Sequence, residues 1–143
     1  MKCQVFSLYL TFVLRMAAGQ DAVIKAAERF VPGLRWQAKS IVIADFTCGG
    51  HKQTAVLGTN KREVVVAVFL NGTNRRPVII RDEARDPATV ELAAEGLDYE
   101  PDYPLPGFQS SKTCSGLNLS DGHIDSRHLY WNHGSRRFDS WSL

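Results

Sequence analysis

The sequence predicts a mainly β domain: one or two twisted antiparallel sheets, a single N-terminal amphipathic helix on one face, and a single disulfide. Three observations carry this. Only one segment repeats its apolar residues at helical spacing. The remainder of the chain is a succession of β-branched runs separated by Gly-, Asn- and Pro-rich turns. A removable leader would leave two cysteines, Cys48 and Cys114, free to pair. At 143 residues the chain fits one domain, and 44% hydrophobic against 22% charged residues excludes extensive disorder.

The first element is the leader. Lys2 precedes an uncharged run over residues 3–14, and Ala17-Ala18-Gly19 supplies small residues before a cut between Gly19 and Gln20. That is the layout of a secretory signal peptide, and the run is shorter than the roughly 20 apolar residues of a membrane span. The expected organisation is a signal peptide over 1–19 and a single β-rich binding domain over 20–143, periplasmic or secreted, with no stable membrane insertion. Without Lys2 and Arg15, the 17 basic residues become 15 against 15 acids. A neutral chain cannot displace counterions from phosphates as a general nucleic-acid binder must, so no nucleic-acid partner is expected. Cys3 leaves with the leader, and in an oxidising compartment the remaining even pair favours a Cys48–Cys114 disulfide.

Residues 21–31 are expected to form the helix: Asp21 can cap it, Val23, Ala26, Ala27 and Phe30 make one stripe, and Pro32-Gly33 stops it. Strands are expected over 40–46, 54–57, 63–70 and 77–81. The third is expected to be central because it is apolar on both faces. Residues 129–131 and 138–141, joined by Asn132-His133-Gly134-Ser135, read as an aromatic hairpin. Residues 86–96 carry both helix signals (Asp86, Pro87, Gly96) and a strand alternation (Val90, Leu92, Ala94), and are assigned as strand by their surroundings.

Catalytic constellations are not evident. The histidines, His51, His123, His128 and His133, lack the one-helical-turn spacing of a zinc pair and read as turn or surface residues. Asp121, Asp125 and Asp139 sit in turn-like or strand contexts where acids are common. Cys48-Gly49-Gly50-His51 is a poor thiol–imidazole pair, because adjacent side chains in a turn rarely face one another. No glycine-rich phosphate cradle and no Gly-x-Ser-x-Gly elbow occurs. No enzyme, metal or cofactor is expected.

Binding features are more evident. Pro101, Pro104 and Pro106 stiffen one side of a loop whose other side is anchored at Cys114. Gly107, Phe108, Gln109, Ser110, Ser111 and Lys112 form its tip, with Phe108 as an aromatic anchor among small polar groups; pre-stiffening lowers the entropy lost on docking. Tyr130, Trp131, Phe138, Trp141 and Trp36 read mainly as core. Between 82 and 102 stand Asp82, Glu83, Asp86, Glu91, Glu95, Asp98, Glu100 and Asp102 against Arg85 alone. This is either a solvated surface or a field that steers a basic partner.

Residues 45–57, beginning Asp45-Phe46-Thr47-Cys48-Gly49-Gly50 and ending Ala55-Val56-Leu57, resemble the core of an FG-GAP or VCBS repeat of integrin α-type propellers. The resemblance covers about thirty residues, and a propeller would need further copies. It implies oxygen ligands at Asp45, Thr47, Gly49 and Gln53. Only Asp45 is a carboxylate, too little charge for calcium, so a degenerate turn is expected there. The overall design is also similar in kind to periplasmic immunity proteins of type VI secretion peptidoglycan-hydrolase effectors, which share a signal peptide, one β-rich domain and one disulfide. That similarity implies an exported inhibitor whose 107–112 loop occludes the active site of a secreted, amidase-type cell-wall hydrolase. The alternatives are a lysozyme-inhibitor-like protein and a non-enzymatic envelope or adhesive module.

Overall fold

The computed structural model describes residues 5–121 and 126–142. His123, Asp125 and Cys3 lie outside them. Helix α1 spans Val5–Phe30, so the helix expected to begin at Asp21 begins far earlier and Asp21 is an interior residue. No proline interrupts residues 5–20, and the one glycine, Gly19, costs only about 1 kcal/mol in a helix. All the described α1 side chains that reach the core lie beyond Gly19: Val23, Ala26 and Ala27 are buried, with Ile24 and Phe30 beside them. The helix stops as expected. Val31 N–H donates to Ala27 O at 2.8 Å, and Gly33 turns the chain at φ 83°.

Among the described residues, nine strands succeed the helix in two antiparallel sheets. The first sheet holds β1 (Arg35–Trp36), β2 (Val42–Ala44), β3 (Gln53–Thr59), β4 (Glu63–Phe69) and β5 (Val78–Glu83), ordered β1-β3-β4-β5 with β2 also on β3. The second is a meander of β6 (Glu91–Leu97), β7 (Ser111–Ser120), β8 (Ser126–Asn132) and β9 (Arg137–Trp141). Strand β4 is central, and its alternation explains why it is apolar on both faces. Val64, Val66 and Val68 face Leu92, Leu117, Leu119 and Leu129 of the second sheet, whereas Ala67 and Phe69 face α1. The domain is thus three layers, helix on sheet on sheet, with two apolar seams.

Two expected elements differ, and β7 is a strand outside the expected set. The strand over 40–46 gives way at its start to a 3-10 turn, Ala38–Ser40, before β2. Buried Ser40 causes this break: its Oγ donates to Gln37 O at 2.7 Å and accepts Leu57 N–H at 2.9 Å. In 86–96 both readings hold in turn. Pro87–Thr89 is a 3-10 turn after Asp86, and the strand Glu91–Leu97 comes after it. Lastly, β7 was not expected as a strand, yet it holds the second sheet together between β6 and β8. Trp36, expected in the core, lies flat on Gly58 in the helix-side seam. A side chain at 58 would meet its ring at 2.7 Å, so only glycine fits beneath the indole.

Candidate partner-binding site

The turn after β2 is built from the positions that the calcium-loop resemblance singles out. The two Asp45 carboxylate oxygens accept Gly49 N–H at 3.1 Å and Gly50 N–H at 2.7 Å. Gln53 Oε1 accepts Phe46 N–H at 2.7 Å, and Gln53 Nε2 donates to Thr47 Oγ1 at 2.8 Å. Each of these oxygens faces a proton of the loop itself, so the side chains act as turn braces. The loop carries Cys48 at φ 57°, and Cys48 bonds Cys114 of β7, with the Cα atoms 5.1 Å apart. Beside the bridge, Ser115 N–H donates to Asp45 O at 2.9 Å. A covalent and a hydrogen-bonded link therefore join the two sheets at one end.

From this anchor the 98–110 connection runs between β6 and β7 as a strap. Tyr130 Oη donates to Pro106 O at 3.0 Å, and His133 N–H donates to Gly107 O at 3.0 Å. Ser110 Oγ donates to Leu97 O at 3.1 Å, and Ser111 Oγ accepts the N–H groups of Thr113 and Cys114 at 3.1 Å each. Gly107, at φ 64°, lies directly against the buried side chain of Asn132. That amide is itself fixed: Oδ1 accepts Gly134 N–H at 2.9 Å and Ser135 N–H at 3.0 Å, while Nδ2 donates to Asp139 Oδ2 at 2.6 Å. The strap is thus fastened along its length to the β8–β9 hairpin and to β6.

Among the residues expected to bind a partner, Gly107, Gln109, Ser110 and Lys112 are exposed, and Ser111 is half-buried. Ser111 and Lys112 already belong to β7, so the free loop is shorter than expected. Phe108 departs from its expected place at the tip. Its ring is half-buried between Tyr99 and Tyr130, with centroids at 5.3 and 5.5 Å. An aromatic ring is cheaper to bury against other rings than to leave in water, so Phe108 holds the strap down and leaves polar groups outward.

Sequence reasoning missed a polar cluster on the outer face of the second sheet. His128 Nδ1 lies 2.8 Å from Glu95 Oε2, and Asn118 Nδ2 donates to the same oxygen at 3.2 Å. The imidazole stacks on Trp141 at 4.1 Å, and Trp141 Nε1 donates to Tyr99 Oη at 3.2 Å. The register places Asn118, His128 and Trp141 opposite one another on β7, β8 and β9. No sequence spacing shows that row, because the strands pair across the fold. Trp131 and Phe138 form the expected cross-strand aromatic pair, 5.3 Å apart and edge-to-face. His51 is exposed and His133 half-buried in their turns. Asp139 is occupied by Asn132 and Arg137. Among the described residues no group of three or more His, Cys, Asp or Glu side chains could hold a metal ion.

Burial pushes the Tyr99 hydroxyl above the usual tyrosine range; the Trp141 hydrogen bond opposes the shift and the nearby Glu95 charge adds to it. Burial also raises Tyr130, with Asp139 contributing. A tyrosine with a raised folded value stays neutral in the fold where the unfolded chain would ionise. Its stabilisation is complete below about pH 10 and is lost as pH rises through the folded values. Tyrosinate absorbance is therefore expected to show Tyr99 and Tyr130 ionising above the ordinary tyrosine range, together with loss of structure. Ionisation of Tyr99 and Tyr130 at or below the ordinary tyrosine range, in an intact fold, would contradict this arrangement.

Of the eight acids between 82 and 102, Asp82 pairs with Arg127 and Glu95 with His128. Glu83, Asp86, Glu91, Asp98, Glu100 and Asp102 are exposed and, among the described residues, make no ion pair. No helix among the described residues is long and apolar enough to cross a membrane. No protein-family model matches this chain, and neither a curated protein nor a solved structure matches it.

Proposed function

We propose that this protein is an exported inhibitor of the immunity-protein kind, which binds a secreted peptidoglycan hydrolase of the amidase type and occludes its active site. The observation that carries the reading is the strap. Its backbone is tethered at Pro106 and Gly107, the Ser110 hydroxyl is bonded to Leu97 O and Cys114 is bridged to Cys48, so little conformational freedom remains to be lost when Gln109, Ser110 and Lys112 enter a cleft. Inhibition is steric exclusion of substrate and needs no chemistry from the inhibitor. The exposed acids raise the rate of encounter with a basic surface.

The unpaired acids also favour a second reading, a lysozyme-inhibitor-like protein whose basic target is held mainly by charge. The two readings separate by salt. Exposed charges are largely screened beyond about 8 Å at physiological ionic strength, so a charge-held complex weakens steeply with added salt and a strap-held one does not.

The test is inhibition of peptidoglycan hydrolysis by the secreted hydrolases of the source organism. Wild-type protein is expected to inhibit an amidase stoichiometrically. Gln109→Trp with Lys112→Trp, at two exposed positions whose side chains are not among the described fastenings of the strap, is expected to weaken inhibition by about a hundredfold or more, as for loss of a central interface contact, with the fold retained. Absence of inhibition by the wild type, or undiminished inhibition by the double variant, would overturn the proposal.

A further inference from the structure

On the outer side of the strap, Tyr99, Glu100, Asp102, Tyr103, Phe108 and Ser110 help line an open cavity of about 400 Å³. Its rings are fixed from behind. Tyr99 accepts the Trp141 indole hydrogen bond, Tyr103 meets the Trp141 ring edge-on at 6.4 Å, and Phe108 meets Tyr130 edge-on. Tyr103 is nonetheless 47% exposed, and only Ile43 is more exposed among the large hydrophobic residues described. Pro101 and Pro104 border the cavity and restrict its backbone. Its two acids, Glu100 and Asp102, are exposed and make no ion pair among the described residues.

We propose that this cavity receives an arginine side chain of the protein partner. The faces of the tyrosine rings carry negative potential and favour a cation within about 6 Å. Two carboxylates in its lining complement a planar guanidinium, which can stack on a ring and donate sideways to an acid in one pose. Charge thus selects the occupant: an apolar side chain would leave Glu100 and Asp102 facing it, and an anion would be repelled. This inference rests on the inhibitor reading for the partner's identity and gives that partner a basic residue bordering its cleft.

The test separates the two claims by using a probe independent of any hydrolase. The peptide Gly-Arg-Gly, blocked at both ends, is titrated into the intact protein at millimolar concentration and followed by amide chemical shifts. Gly-citrulline-Gly, isosteric and neutral, serves as control. Saturable shifts are expected over residues 99–110 with the arginine peptide, reduced about tenfold in affinity by Tyr103→Ala or by Glu100→Gln with Asp102→Asn, and absent with citrulline. All three substituted side chains are exposed, so the variants keep the fold; unchanged amide spectra elsewhere establish this. Equal shifts from the citrulline peptide, or none from the arginine peptide, would overturn the cavity's role even if hydrolase inhibition persists. Arginine-specific shifts without inhibition of any hydrolase would uphold the cavity and sink the inhibitor reading alone.

Discussion

Replacing Cys48 and Cys114 together by alanine is expected to lower the unfolding free energy by about 4 kcal/mol, the chain-entropy value for a loop of this size. The two residues are 66 apart in sequence, so the bridge closes nearly half of the chain. Domains of this size are held by about 5–15 kcal/mol in all, so the loss is a large fraction of the total and is read directly as a fall in denaturant midpoint. The bridge also joins the two sheets, and without it the β2–β3 turn keeps the Ser115–Asp45 backbone bond and the buried Phe46 ring as its ties to the second sheet. A second comparison isolates the local backbone. Cys48 sits at φ 57°, where a residue with a Cβ costs roughly 1–2 kcal/mol relative to glycine. Cys48→Gly with Cys114→Ala should therefore be the more stable of the two unbridged proteins. Equal stability of bridged and unbridged protein would mean that the pair does not constrain the unfolded chain. Thiol titration of the unreduced protein is expected to find Cys48 and Cys114 unreactive.

Gly107→Ala is expected to cost about 3 kcal/mol, a drop in Tm on the order of 10 °C. Two penalties combine. The backbone at φ 64° is strained for any residue with a Cβ, and the added methyl would overlap the Asn132 amide, with only 2.5 Å to its Cγ. Asn132 cannot swing aside cheaply, because Asp139, Gly134 and Ser135 hold all of its polar atoms. The damage would be local: loss of the Tyr130–Pro106 and His133–Gly107 bonds releases the strap and frees Phe108. A double-mutant cycle with Asn132→Gly identifies the clash. Removing the amide makes room for the methyl, so the pair should cost at least about 1 kcal/mol less than the sum of the single changes. Strict additivity would show that the two positions do not meet.

Much of this architecture is legible in the sequence because it rests on local pattern. Strands β3, β4 and β5 announce themselves by β-branched runs, and the central place of β4 follows from its lack of any polar face. The pairing of Cys48 with Cys114 is what the expected removal of Cys3 in a leader implies, and the structure joins the two. Strand β7 escapes notice because Ser115, Gly116, Asn118 and Ser120 dilute its apolar signal to the alternation of Leu117 and Leu119, with Cys114 buried as well. Gly116 is there for contact, since a Cβ would approach Leu129 O to 2.6 Å. Helix signals at Asp86 and Pro87 were real but sufficed for a single 3-10 turn.

The site was legible only in outline. Three prolines and a cysteine mark the 101–114 segment as stiff, and composition goes no further. The strap's fastenings are tertiary: Tyr130, Asn132 and His133 come from a hairpin more than twenty residues downstream of Pro106. Phe108 illustrates the difference. In sequence it is an aromatic among small polar neighbours, the signature of an exposed anchor, but Tyr99 of the same strap and Tyr130 of β8 supply it with a pocket of its own.

The most direct test of the account is the backbone mobility of residues 107–112 in the free, disulfide-intact protein, measured by amide ¹⁵N relaxation. A strap fastened before it meets a partner should give order parameters close to the roughly 0.85 of rigid backbone, equal to those of β7 and β8. Values below about 0.6 over Gln109–Lys112 would show a flexible loop, and the proposal that this segment is pre-shaped to block an enzyme cleft would be contradicted.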